Sequence, residues 1–263
     1  MAHRREPTRV VIGPVATSQE PREGFPRKRE VPPAGGELPA YRWEPAGRSA
    51  RAGLVVFQEI FGVSDYIRRR CADLAELGYV VVAPELYWRL EAAGVDPTVD
   101  EEQPDFLDRA MELVGQLDWS SAVGDGVATV EHLRAEAGIE RVGALGFCFG
   151  GGLAFNVAAQ TAVDVLVSYY GSALPNLLDL APSVRAPSLH HFGTADVYLD
   201  PGTVERIRQA VTGPHAGEGT RFEVHEGAGH AFDNPHPMFH HPAASARAWQ
   251  QTCAFLTAHL PPT

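Results

Sequence analysis

The sequence predicts an α/β fold in which a mostly parallel, open sheet is flanked by helices on both faces. Residues 54–57 and 79–83 are short, continuous apolar runs, which are typical of strands buried on both faces. Between them, residues 66–77 form an amphipathic stretch that follows Asp65 and ends at Gly78, as a helix closed by a glycine does. Because a strand, a helix and a second strand in this order build a parallel pair, these runs predict the centre of such a sheet.

The same alternation of strands and helices continues to the end of the chain. Further strands are predicted at residues 41–43, 141–146, 163–170, 187–192 and 221–226, and helices at residues 120–136, 150–160 and 243–260. The first of these strands is short and is expected at an edge of the sheet. Residues 91–105 are acidic, contain two prolines and are predicted to form a surface loop.

The composition predicts one domain with an extension at its N-terminal side. The 263 residues are 44% hydrophobic and 21% charged, which allows a single large core in a soluble protein. Residues 1–30 contain four prolines and lack a sustained apolar pattern. We therefore predict a flexible extension over residues 1–30 and a single α/β domain over residues 31–263.

Charge and cysteine content narrow the partners and the compartment. A formal net charge of −11 repels polyanions, so no nucleic acid partner is expected. No stretch is long and apolar enough to span a membrane, and no secretory signal is visible, so no membrane partner is expected either. Cys71, Cys148 and Cys253 are widely spaced, which indicates free thiols in a reducing cytoplasm. We expect a monomer or a small homo-oligomer.

A glycine-rich stretch around Cys148 carries the clearest chemical signal. Gly146-Phe147-Cys148-Phe149-Gly150 follows a predicted strand and precedes a predicted helix, which is the setting of a nucleophile elbow. The turn of such an elbow leaves no room for a Cβ atom at the flanking glycines, and it lifts the nucleophile above the sheet. We therefore expect Cys148 to be a nucleophile and the N–H of Phe149 to face a developing oxyanion.

Two further residues complete a nucleophile, acid and histidine in the order that this elbow requires. Asp196 and His230 each lie just past a predicted strand, at the edge where open parallel sheets place their sites. His230 would take the thiol proton, and Asp196 would fix the imidazole tautomer. A second oxyanion donor is expected from the loop after the first long strand, where the N–H of Ile60 is the candidate.

Other interpretations of the titratable residues remain open at this point. Glu59 has no role if it faces solvent, but it could hold or accept the thiol proton if it faces Cys148. The numerous histidines invite a metal site, yet none forms a helical H-E-x-x-H pair and His190 and His191 point to opposite sides of a strand, so solvated loop side chains are the preferred interpretation. A redox role for Cys148 ranks low because no resolving cysteine is near in sequence. No metal and no cofactor are expected.

Several separated motifs, taken together and in order, resemble the dienelactone hydrolase (carboxymethylenebutenolidase) family of the α/β-hydrolase fold. They lie at residues 58–63, 84–89, 146–152, 169–171 and 228–232, and in the strand before Asp196. The resemblance implies a triad of Cys148, Asp196 and His230. It also implies that Glu59 neighbours the thiol and takes its proton when substrate binds.

The resemblance also implies substrate contacts. Arg89 matches the family arginine that grips the substrate carboxylate. Tyr170 could line the pocket or simply pack under the sheet edge. A second carboxylate-binding arginine of the best-studied members falls on Asn234 in this sequence, with Asp233 before it. This departure counts against dienelactone itself as the substrate.

The expected function is hydrolysis of a small ester or lactone through a covalent acyl-enzyme on Cys148. The alternative is a non-catalytic relative of the same fold that binds a small ligand. The combination of Cys148, Asp196, His230 and Glu59 in one chain favours the enzyme.

Overall fold

A computed structural model describes residues 6–13, 36–46 and 50–263. The strands of its single sheet are β1 (Thr8–Ile12), β2 (Leu38–Trp43), β3 (Ala52–Phe57), β4 (Val80–Pro84), β5 (Arg141–Phe147), β6 (Val165–Tyr169), β7 (Ser188–Gly193) and β8 (Arg221–His225). The α-helices are α1 (Asp65–Glu76), α2 (Trp88–Ala92), α3 (Phe106–Gln116), α4 (Trp119–Ala135), α5 (Phe149–Gln160), α6 (Pro201–Val211) and α7 (Pro242–His259). Two short 3₁₀ helices, Leu174–Asn176 and Leu178–Ser183, lie between β6 and β7.

The sheet confirms the predicted fold class. Its strand order is β1-β2-β4-β3-β5-β6-β7-β8, and β1, β2 and β4 pair antiparallel whereas all other neighbours are parallel. Every residue of the five strands from β3 through β7 is buried except Arg141 at the start of β5. These are the continuous apolar runs of the sequence, and they are apolar throughout because helices cover both of their faces.

Helices form a layer on each side of the sheet. On one side α4 and α5 pack against each other and against β3, β5 and β6. On the other side α1 and α7 are joined by Arg70, whose guanidinium lies 4.4 Å from the Trp249 ring centroid. The prediction of helices on both faces is therefore confirmed.

The structure adds elements that the sequence analysis did not assign. Thr8–Ile12, within the predicted flexible extension, form β1 and pair antiparallel with β2. Only the last residue of β1 is buried, so its apolar pattern was too weak to indicate a strand. Residues 1–5 and 14–30 of the extension lie outside the described residues, and the domain boundary at residue 30 stays a prediction. The helices α2, α3 and α6 were also not predicted.

The parallel topology places the functional candidates at one edge of the sheet. Cys148 directly follows β5, Asp196 lies three residues after β7 and His230 lies five residues after β8. Glu59 lies two residues after β3, the neighbour of β5. Because the carboxyl ends of parallel strands face the same way, four segments that are distant in sequence meet above the sheet.

Three histidines correct the prediction of solvated loop side chains. His190 and His191 on β7 are fully buried, and His225 at the end of β8 is also buried. The two β7 side chains point to opposite faces, as predicted: His190 bonds to Ser188, whereas His191 bonds to His225 and to Thr252 of α7. Among the described residues, no three His, Cys, Asp or Glu side chains gather where they could hold a metal ion.

We expect His190 to make the protein less stable in mild acid. Burial lowers the pKa of His190 from 6.5 to about 3. Between these values the unfolded chain binds a proton that the folded chain excludes, so stability falls as pH falls through this window. At pH 5 the penalty is on the order of 2 kcal/mol. We therefore expect His190→Leu to lose less free energy of unfolding than wild type between pH 8 and pH 5, measured by urea titration.

The control for this experiment is the exposed His215. His215→Gln should show the same loss between the two pH values as wild type. An equal loss in His190→Leu and in wild type would mean that His190 does not carry the acid sensitivity.

Candidate active site

The turn at Cys148 has the geometry of a nucleophile elbow. Cys148 has φ 52° and ψ −115°, a left-handed conformation that non-glycine residues rarely adopt. A Cβ atom on Gly146 would lie 1.9 Å from the carbonyl oxygen of Gly150. A Cβ atom on Gly150 would lie 2.3 Å from the carbonyl oxygen of Phe57. Both glycines are therefore required for β5 to turn directly into α5 with the cysteine at the apex.

The sulfur, the imidazole and the carboxylate lie in line. His230 Nε2 is 3.1 Å from Cys148 Sγ, and His230 Nδ1 is 2.7 Å from Asp196 Oδ2. The other carboxylate oxygen of Asp196 accepts the backbone N–H groups of Tyr198 (2.8 Å) and Leu199 (3.1 Å). These two bonds hold the carboxylate so that Oδ2 faces the imidazole. The structure thus brings the three predicted residues into contact across 82 residues of sequence.

The environment of His230 favours its charged form. Burial opposes a charge on the ring, but the Cys148 sulfur and the hydrogen bond to Asp196 outweigh it and raise the pKa of His230 well above its usual range. The imidazole is therefore able to hold a proton taken from the thiol. Its ring is enclosed by Tyr170 and Tyr198, whose ring centroids lie 5.3 Å and 5.1 Å away.

The two predicted oxyanion donors lie on segments with fixed backbones. Phe149 is the first residue of α5, where a backbone N–H has no partner within the helix. The Ile60 carbonyl accepts the Tyr87 hydroxyl at 2.7 Å, which anchors the loop after β3. In the described structure neither the Ile60 nor the Phe149 N–H donates a hydrogen bond to another protein group. Both amides are therefore free to bind a developing oxyanion.

Glu59 is fully buried, but no hydrogen bond joins it to the thiol in the described structure. Its Oε2 accepts the Asn234 side-chain amide at 2.8 Å, and its Oε1 lies 3.3 Å from the Tyr170 hydroxyl. Burial raises the pKa of Glu59 to about 7, although both of these contacts and the nearby His230 oppose the rise. The described structure has no hydrogen bond between Glu59 and Cys148, and the hydrogen-bond partners of the sulfur are His230 and Ser172.

Arg89 is held by a carboxylate of the protein itself. Its guanidinium makes a two-pronged ion pair with the buried Asp125, with Nη2 at 2.8 Å from Oδ1. None of the contacts that Arg89 makes in the described structure reaches Cys148, Asp196 or His230. The role in substrate binding that the resemblance implied for Arg89 therefore stays a prediction, and the structure gives the side chain a different partner.

Sequence reasoning missed several residues that surround the candidate triad. Ser172 Oγ lies 3.8 Å from the Cys148 sulfur, and the ring of the exposed Tyr198 packs on His230. Tyr66 on α1 and Asp233 reach the site from elements that are distant in sequence. The nearness of Tyr198 to Asp196 in sequence was a signal that could have found Tyr198, whereas Asp233 was named only as the neighbour of Asn234. No sequence signal marked Tyr66.

A cavity of about 620 Å³ lies against the loop that carries Ile60. Gln58 and residues 61–64 of that loop form part of its wall, whereas none of the three triad residues lines it. Its charged lining is predominantly acidic and consists of Asp65, Glu85, Glu91, Asp100, Glu101, Glu102 and Arg68. Part of this lining comes from the predicted acidic loop, residues 91–105. Among the described residues, no helix has both the length and the apolar character needed to cross a bilayer.

An eight-stranded, mostly parallel sheet with a nucleophile elbow at the end of β5 defines the α/β-hydrolase fold. The family of the chain follows from a family model, which matches residues 38–260 and describes the dienelactone hydrolase family. The chain belongs to this family, as its sequence motifs predicted. It is accordingly a hydrolase of the kind that acts on esters or lactones.

Individual relatives agree with this assignment. The chain is 36% identical to a carboxymethylenebutenolidase from Pseudomonas putida over 77% of this chain and 84% of the relative. It is 33% identical to carboxymethylenebutenolidase 1 from Cupriavidus pinatubonensis over 76% of this chain and 82% of the relative. A crystal structure from Klebsiella pneumoniae, provisionally named a dienelactone hydrolase, superposes with a TM-score of 0.73 at 26% identity and covers 96% of this chain and 99% of the other.

Proposed function

We propose that the protein hydrolyses a small, uncharged ester or lactone through a thioester on Cys148, with a Cys148, His230 and Asp196 triad. The observation that carries the proposal is the continuous contact from sulfur to imidazole to carboxylate at 3.1 and 2.7 Å, built on a strained elbow. A cysteine and a histidine that were merely packed together in a structural role would need neither the positive φ of Cys148 nor glycine at positions 146 and 150.

Acylation begins with proton transfer. His230 Nε2 takes the thiol proton, and the sulfur attacks the carbonyl carbon of the substrate. The carbonyl oxygen becomes an oxyanion that the N–H groups of Ile60 and Phe149 stabilise. The carbon–oxygen bond of the ester then breaks, the alkoxide takes the proton from His230, and a thioester remains on Cys148.

Deacylation uses the same groups with water as the nucleophile. His230 removes a proton from water, hydroxide attacks the thioester carbonyl, and the Cys148 sulfur leaves and regains the proton. Asp196 stabilises the imidazolium in both halves of the reaction. Glu59 can accept a proton in this proposal only while it is ionised, and burial raises its pKa to about 7.

The charges around the site support an uncharged substrate. Asn234 occupies the position of an anchoring arginine, and its side-chain amide donates a hydrogen bond to Glu59. Arg89 is bound to Asp125. Most charged side chains that line the neighbouring cavity are acidic. A substrate carboxylate would therefore meet mostly like charges, with Arg68 as the one basic side chain in that lining, and we expect it to bind weakly.

The test compares a neutral chromogenic short-chain ester with a dienelactone, which carries a carboxylate. We expect wild type to cleave the neutral ester with the higher kcat/KM, by about tenfold or more for one lost charge pair. Asn234→Arg should narrow that ratio by improving the anionic substrate. A wild-type preference for dienelactone would contradict the proposed substrate class while leaving the triad in place.

The alternative function is binding of a small ligand without turnover. The two candidate oxyanion donors and the aligned imidazole favour the enzyme, because a binding site needs neither. Failure of wild type to cleave any ester or lactone in a panel would favour the alternative. We also infer that the protein works in a reducing compartment such as the cytoplasm, which is supported by the free state of Cys71, Cys148 and Cys253.

A further inference from the structure

A chain of four hydrogen-bonding side chains leads from Glu59 into the layer between the sheet and α1. The Glu59 carboxyl lies 3.3 Å from the Tyr170 hydroxyl, which lies 3.3 Å from the Tyr66 hydroxyl. The Tyr66 hydroxyl donates to Asp233 at 2.5 Å. All four side chains are buried. The proposed mechanism does not use Tyr66 or Asp233.

Asp233 is fixed as an acceptor at the far end of this chain. Its two oxygens accept two hydrogen bonds from the Arg70 guanidinium, at 2.6 and 2.8 Å, and one from Ser245 at 2.7 Å. Arg70 is itself held over the Trp249 ring. A carboxylate that is paired in this way accepts from Tyr66 and cannot donate to it.

Because each hydroxyl has a single hydrogen, that hydrogen determines which group donates and which accepts along this hydrogen-bond chain. Tyr66 gives its hydrogen to Asp233, so its oxygen can only accept from Tyr170. Tyr170 also has one hydrogen, which can point to Tyr66 or to Glu59, but not to both. When Glu59 is protonated, it donates to Tyr170, Tyr170 donates to Tyr66, and every hydroxyl hydrogen in the chain has an acceptor. When Glu59 is ionised, Tyr170 must turn toward it, and the buried Tyr66 oxygen loses its donor.

We infer that Tyr66 and Asp233 are positioning residues that hold Glu59 in its protonated, neutral form through the orientation of the Tyr170 hydroxyl. The inference concerns residues outside the triad. It rests on the proposed function only for the effect that the protonation state of Glu59 has on turnover. The raised pKa of Glu59 agrees with this bias, although burial is its largest cause. The charged and titratable groups that face Glu59 are His230, Glu101, Tyr170 and Tyr66, and Asn234 donates to its other oxygen.

The two hydroxyls next to Glu59 should therefore act in opposite directions. Tyr66→Phe removes the competing acceptor, so Tyr170 donates to Glu59 at all times, the ionised form is stabilised and the pKa of Glu59 falls. Tyr170→Phe removes the donor to the ionised form inside a buried site, so the pKa of Glu59 rises. Each shift is expected to be about 0.5 to 1 pH unit, as one neutral hydrogen bond would give.

The experiment is an infrared titration of the free protein between pH 5 and pH 9, following the carbonyl stretch of the protonated Glu59 carboxyl. Subtracting the spectra of Glu59→Gln identifies the band. Since no substrate is present, the result does not depend on turnover, and a failed activity assay would leave it interpretable. Thermal unfolding of each variant checks that the fold is retained.

Two matched variants distinguish an effect of this hydrogen-bond chain from the general effect of removing a buried hydroxyl. Tyr79→Phe removes a buried hydroxyl that donates to the Leu260 carbonyl, outside the chain, and should leave the Glu59 band in place. Ser245→Ala removes another donor to Asp233 and should also leave it in place, because Tyr66 keeps its acceptor. Opposite shifts in Tyr66→Phe and Tyr170→Phe support the inference. An unchanged band, shifts of the same sign, or a Glu59 band absent throughout this pH range would overturn it.

Discussion

Replacing Cys148 by alanine should lower kcat/KM for a neutral chromogenic ester by about 10⁴-fold or more. Cys148 is the nucleophile in the proposed mechanism, and no other thiol in the described structure contacts His230. The loss should appear in kcat, because the sulfur forms a bond to substrate and contributes little to its initial binding. Initial rates over a range of ester concentrations measure both parameters.

The control for this variant is Cys253→Ala. Cys253 is a free, partly buried cysteine on α7, away from the candidate triad, and its replacement should leave kcat and KM unchanged. Full activity in Cys148→Ala would remove the cysteine from the reaction, whereas equal losses in both variants would indicate damage to the fold.

Asp196→Asn should lower kcat by about 10³ to 10⁴-fold while the fold survives. The asparagine oxygen can keep the bonds from Tyr198 and Leu199, so its NH₂ group must face His230 Nδ1. The imidazole would then accept at Nδ1 and carry its hydrogen on Nε2, the atom that must take the thiol proton. Steady-state kinetics together with circular dichroism measure the loss and the integrity of the fold.

Asp200→Asn is the matched control for the aspartate. Asp200 is in the same loop and caps α6 through its side chain, a role that asparagine also performs. We expect wild-type activity in this variant. Near-normal activity in Asp196→Asn would show that the carboxylate does not orient the imidazole.

The sequence predicted the centre of the fold better than its periphery. The strands from β3 to β7 are buried on both faces, so their apolar runs stand out from the surrounding sequence. The strand β1 is mostly exposed and lacks such a run, and α2 has no buried residue, so neither had a detectable pattern. Residues 1–5, 14–35 and 47–49 lie outside the described structure.

The candidate triad was predictable because each of its members follows a strand and the elbow requires a fixed order. The partners of Glu59 and Arg89 were not predictable. Glu59 bonds to Asn234, 175 residues away, and Arg89 pairs with Asp125, which lies in a helix predicted only from its periodicity. Contacts of this kind depend on side-chain directions in three dimensions, and a single sequence does not encode them as a spacing.

The most direct test of the proposed function is a search for the acyl-enzyme. Wild type would be mixed with a chromogenic ester, quenched in acid within the first turnovers, digested and examined by mass spectrometry. Thioesters survive acid, so we expect a burst of chromophore and an acyl mass on the peptide that contains Cys148, absent from Cys148→Ala. Turnover without an adduct on this peptide, or an adduct on another residue that persists in Cys148→Ala, would contradict it.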